Sequence, residues 1–74
     1  MLNSRIVDIM ASCYMYGTVY KGFEKVVYAT YLYNMVIVRD ASNGLITVTI
    51  NKGDITHIVT HIFENMTDFR NHVL

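Results

Sequence analysis

At 74 residues the chain is too short for a second core, since a polypeptide of this size buries only about 60 to 65 per cent of the surface its unfolded form exposes; residues 1–74 are expected to form a single compact domain. Hydrophobic residues make up 53% and charged residues 16%, which excludes the profile of a disordered segment. Six Lys plus Arg balance six Asp plus Glu, so no global field draws the chain onto phosphates or anionic lipid, and nucleic acid is an unlikely general partner.

Leu2, Ile6, Ile9, Met10 and Cys13 recur at three- and four-residue intervals, with Arg5, Asp8 and Ser12 opposite. This predicts an amphipathic helix over about residues 4–15, capped by Asn3 or Ser4 and ended by Gly17 at positive φ. Cys13 falls on the apolar stripe, where a lone cysteine is usually a small buried hydrophobe rather than a nucleophile. As the single cysteine it can form no intrachain disulfide, and a cytoplasmic, intracellular location is expected. Met10-Ala11-Ser12-Cys13 resembles a lipoprotein cleavage box, but the apolar run before it is short and broken by Asp8, so no secretory core is expected.

From Thr18 to Asn51 the composition turns to Val, Tyr, Ile and Thr, residues that suit a pleated surface. Strands are expected at about 18–23, 26–32, 35–39 and 45–51. Leu45 to Asn51 shows the plainest alternation, and Asp40-Ala41-Ser42-Asn43-Gly44 predicts the hairpin that joins it to Met35–Arg39. Val26 to Val38 is apolar in both phases, which reads as two strands broken near Tyr33 and Asn34, with one long strand or a helix over Phe23 to Tyr33 as alternatives. This stretch is also shorter than the roughly 17 to 25 residues of a membrane-crossing helix, and no membrane association is expected.

After Gly53, Ile55, Ile58, Val59, Ile62, Phe63, Met66, Phe69 and Val73 keep helical spacing, with His57, His61, Glu64, Asp68 and His72 opposite. The pattern predicts a helix of roughly 28 Å with Asp54 as N-cap. The elements together predict an α+β domain: an antiparallel four-stranded sheet (three to four strands) flanked by an N-terminal and a longer C-terminal amphipathic helix.

On such a helix His57 and His61 would share a face with Glu64 or Asp68 nearby, which is a weak zinc pattern and fits a solvated face better; no metal or other cofactor is expected. No G-x-S-x-G elbow, phosphate-binding glycine loop or CxxC pair occurs, and no catalytic activity is expected. Six tyrosines stand out instead. Tyr joins a large apolar face to a hydroxyl at small entropic cost, which enriches it at interfaces, although it is also a good strand former. Tyr20, Tyr28, Tyr31 and Tyr33 are the predicted partner-binding residues. The predicted function is therefore binding of a protein partner, of a second copy as a homodimer, or of both. The steric action of a small virus- or mobile-element-encoded inhibitor is one setting for it.

The run from Tyr33 to Ala41, followed by Ile50-Asn51-Lys52-Gly53-Asp54-Ile55, resembles the two halves of an Sm-like domain. That family places a helix before a bent five-stranded sheet, assembles into rings and binds single-stranded RNA. The resemblance implies that Asn34 hydrogen-bonds a base, Tyr33 stacks on it and Lys52-Gly53 close the pocket. The chain departs from the pattern in the length of Gly22 to Asn34 and in the helical spacing after Gly53, so the RNA-binding ring ranks second.

Overall fold

The structure is a computed structural model that describes residues 4–53 and 55–74, without the side chains of 55–58. In chain order the elements are α1 (Ser4–Tyr16), β1 (Thr18–Lys21), β2 (Lys25–Ala29), β3 (Tyr33–Arg39), β4 (Ile46–Lys52), β5 (Ile55–Phe63) and α2 (Met66–Val73). The five strands form one antiparallel sheet in the order β1-β2-β3-β4-β5. Each strand is joined to the next by a local turn, so the topology is a simple meander.

Helix α1 forms on the expected stripe, with Met10 and Cys13 fully buried. The expected cap at Asn3 lies outside the described residues. Gly17 does not take a positive φ, contrary to expectation. It is needed for a different reason: a Cβ there would stand 2.5 Å from the Cys13 carbonyl of the last turn of α1 and, where the end of α1 runs against β2, 3.2 Å from the backbone N and O of Ala29.

The expected strands at 18–23 and 26–32 contract to β1 and β2, separated by the three residues Gly22-Phe23-Glu24, with the Gly22 N–H donating to the Lys25 carbonyl (2.7 Å). Glu24 takes φ +59, an uncommon value for a residue with a side chain. The long apolar stretch breaks at 30–32 rather than at Tyr33 and Asn34. Thr30 makes that turn without glycine: its N–H donates to the Tyr33 carbonyl (2.8 Å), and its Oγ1 accepts from the Tyr33 N–H (3.1 Å). The β3–β4 hairpin forms as expected. Asp40 Oδ1 accepts from the Ser42 N–H (2.8 Å) and hydroxyl (2.7 Å), Asn43 Oδ1 accepts from the Leu45 N–H (2.9 Å), and Gly44 takes φ +74.

The C-terminal third corrects the sequence reading most. The single long helix is replaced by a nine-residue strand, β5, and an eight-residue helix, α2, which makes the sheet five-stranded and the C-terminal helix shorter than α1. Val59, His61 and Phe63 pair with Ile50, Val48 and Ile46 of β4, so these residues alternate onto the packed face instead of winding round a helix. The predicted cap Asp54 lies outside the described residues. The cap of α2 is Asn65, extended at φ −165, whose side chain accepts from the Asp68 N–H at 2.8 Å.

Both helices lie on one face of the sheet. Met10 and Cys13 of α1 and Phe69 and Val73 of α2 close over Met35, Ile37, Ile46, Val48, Ile50 and Phe63. Among the described residues no polar or charged side chain is buried in this core. A chain of ring contacts links the layers: Tyr28 to Tyr14, tilted (5.3 Å between centroids), then Tyr14 to Phe69 (5.4 Å) and Phe69 to Phe63 (5.4 Å), both edge-on.

Candidate functional site

The strand register decides which side chains meet the helices and which meet solvent. Because side chains alternate along a strand, the partners of Met35 and Ile37 in neighbouring strands face the helices and the intervening residues face away. The open face is then assembled from three cross-strand rows. The central row runs Tyr20, Val27, Val36, Thr49 and Thr60; a second runs Lys25, Val38, Thr47 and Ile62; a third runs Thr18, Ala29, Asn34 and Asn51.

No described helix residue belongs to this face, and Lys25 is its one charged residue among the described strand positions. Its apolar side chains are substantially uncovered, with Tyr20 60% and Ile62 58% exposed. Thr49 and Thr60 bring their hydroxyls to 3.3 Å across β4 and β5. An uncharged sheet face of aliphatic residues, Thr and Tyr meets the composition of an interface core, from which charged residues are depleted.

The four predicted tyrosines do not share this face. Tyr20 lies on it. Tyr28 and Tyr33 point to the opposite, helix-packed side, both half-buried; Tyr28 packs at a tilt against Tyr14, and Lys52 places its ammonium 5.8 Å from the Tyr33 ring centroid. Burial pushes the Tyr28 phenol above its ordinary value, Tyr14 adds to the rise, and Arg70 opposes it. Tyr31 is fully exposed in the β2–β3 turn. The sequence reading also missed Phe23, 93% exposed in the β1–β2 loop, and the open-face Val36, Val38 and Ile62. Parity within each strand is the signal that separates the two sets, and it becomes usable only once the strand limits are known.

The residues implied by the Sm-like resemblance do come together. Tyr33 pairs with Lys52 and Asn34 with Asn51 across β3 and β4, and the strand that the sequence reading found missing after Gly53 is present as β5. Tyr33 and Lys52 nevertheless point to the helix side while Asn34 points to the open side. Among the described residues, β1 and β5 remain the two free edges of the sheet.

His57 and His61 both lie in β5, so the helical face that would have brought them together does not exist; the His57 side chain lies outside the described residues. His61 packs on Phe63 at 4.7 Å, and His72 sits 3.4 Å from the Asp68 carboxylate on α2. Among the described residues no three His, Cys, Asp or Glu side chains converge as a metal site. Cys13 is in the core, where burial pushes its thiol above the ordinary value against a hydrogen bond to Thr30. Such a thiol is protonated at neutral pH and is a poor nucleophile. No helix among the described residues is long and apolar enough to cross a membrane.

No protein-family model, no curated protein and no solved structure matches this chain.

Proposed function

We propose that this domain is a non-catalytic binding module that engages a protein partner, or a second copy of itself as a homodimer, through the open face of its sheet. The observation that carries the reading is the nearly uncharged face centred on Val36, left without a covering helix in a chain whose every other charged strand residue lies on the opposite side. Exposed contiguous apolar surface on a small domain marks an interaction site. Tyr20 extends the face at one edge and Ile62 at the other. The action is steric, an interface of ordinary size covering a partner's working surface, as a small virus- or mobile-element-encoded inhibitor would do it.

The test uses Val38→Glu/Ile62→Glu, which places two carboxylates either side of Thr47 at positions already in contact with water. Light scattering gives the solution mass, and quantitative affinity capture compares bound proteins. The wild-type chain is expected to dimerise or retain a defined protein that the double variant loses at unchanged thermal stability. Equal mass and equal capture for both chains would discard the open face as the binding surface.

The RNA-binding ring has one observation in its favour, the meeting of Tyr33 with Lys52 and of Asn34 with Asn51 beside a fifth strand. It predicts six or seven copies per particle and oligonucleotide binding that weakens steeply with salt, which the same mass measurement separates from a monomer or dimer.

A further inference from the structure

At the end of the packed face where β1 turns into β2, Met66 is the only helix residue lining the surface among the described residues, and a cleft of about 450 Å3 remains. That volume is within the range of about 300–1,000 Å3 typical of small-molecule sites. Its floor is apolar: Val26, Tyr28 and Ile37 from the sheet, with Met66 as one wall. Its rim is cationic, with Lys21, Lys25 and Arg39 against the single carboxylate of Glu24. Lys25 belongs by register to the opposite, open face, so at the cleft itself Lys21 and Arg39 outweigh Glu24 by one positive charge in a chain of zero net charge.

None of the three cations lies within ion-pair distance of a carboxylate among the described residues. The register fixes two of them towards the cleft: Lys21 pairs with Val26 and Arg39 with Ile46, both on the helix side. The left-handed Glu24 turn holds this rim in place, since its carbonyl accepts from the Arg39 N–H at 2.9 Å and so ties the β1–β2 loop to the end of β3.

We infer that this cleft binds a small amphipathic anion, a medium-chain aliphatic carboxylate whose tail lies on Val26, Tyr28, Ile37 and Met66 and whose headgroup lies between Lys21 and Arg39. The guanidinium of Arg39 supplies two parallel N–H donors suited to a carboxylate, and Lys21 supplies a point charge. A medium-chain tail is of a size that such a cleft accommodates. The site is on the face opposite the proposed protein-binding surface and does not depend on it.

The experiment is an amide-resolved NMR titration of the full chain with sodium decanoate below its micelle concentration, with decanol and acetate as matched probes. Saturable shifts at Val26, Tyr28 and Ile37 with decanoate, and none with acetate, are expected, with decanol at least several-fold weaker. Lys21→Gln/Arg39→Gln is expected to weaken decanoate about tenfold, in line with two partly exposed charge contacts, and Glu24→Gln to tighten it a few-fold. Non-saturating shifts, equal affinity for decanol, shifts confined to the open face, or a double variant that binds decanoate as tightly as the wild type would each overturn the assignment.

Discussion

Replacing Gly17 by alanine tests the packing of α1 against the sheet with a sign that simple propensity gets wrong. Gly17 has no positive φ, so the usual expectation is a gain of about 0.4–1 kcal/mol from the reduced freedom of the unfolded chain. The structure predicts the reverse. The new Cβ would stand 2.5 Å from the Cys13 carbonyl and 3.2 Å from both the N and the O of Ala29, and all three neighbours are backbone atoms that cannot rotate away. Relief requires the backbone at the end of α1 to shift both against its own last turn and against β2, a distortion of the overpacking kind, which costs about 1–3 kcal/mol. With the contact at its tight end, the net loss is about 2 kcal/mol, a large part of the roughly 4–11 kcal/mol expected of a domain this size. The unfolding entropy of 74 residues is about 0.16 kcal/mol/K, so Tm should fall by about 12 °C. Urea and thermal unfolding followed by circular dichroism measure both quantities. Gly22→Ala is the control, because its Cβ would meet only the Lys25 carbonyl at 3.4 Å, and its stability should stay within about 0.5 kcal/mol of the wild type. A Gly17→Ala protein as stable as the wild type, or more so, would refute the backbone crowding at Gly17, where the end of α1 meets β2.

Two further outcomes follow from the core and the β3–β4 turn. Phe69 is fully buried and packs edge-on to Tyr14 and Phe63, so Phe69→Ala should cost about 3–5 kcal/mol, a large part of the domain's stability, while Phe69→Leu should cost about 1–1.5 kcal/mol; a loss under about 1 kcal/mol for Ala would mean that α2 is not integral to the core. The Asp40 carboxyl is held below its ordinary value first by the Ser42 hydroxyl, then by the Ser42 and Asn43 N–H groups. A folded value below the unfolded one means that this stabilisation is present above about pH 4 and is lost as pH falls through the folded value. Urea midpoints between pH 5 and pH 2 should therefore fall less steeply for Asp40→Ala than for the wild type, and parallel curves would show that the turn's hydrogen bonds add nothing.

The sequence patterns were reliable where one period had no competitor. The α1 stripe buried Met10 and Cys13 as read, and Ile46, Val48 and Ile50 alternate inward across the Asn43-Gly44 turn. Residues 55–63 failed because two periods coincide there. Ile55, Ile58, Val59 and Ile62 satisfy helical spacing, but six of the nine residues are β-branched, the composition of a strand. The capping signal was also present and overlooked: Asn65 followed three residues later by Asp68, whose carboxylate accepts weakly from the Glu64 N–H (3.3 Å), marks the true start of α2. For the candidate site, the tyrosines were read by type alone. Tyr20 and Tyr28 are directed to opposite faces by their register, and Tyr31 is removed from the sheet by a turn that Thr30 closes without any glycine or asparagine to announce it.

The amino-acid sequence by itself determined a single α+β domain with an amphipathic first helix and a β3–β4 hairpin, because those features depend on contacts only a few residues apart. The tertiary structure alone decided that residues 55–63 become the fifth strand, since that choice is made by ladder pairing with β4 rather than by local spacing. It likewise decided that both helices cover the same face, leaving Val36 and its neighbours open and a cationic cleft beyond Met66. Which face a side chain occupies is a property of register between strands, and register is set by the pairing of whole strands.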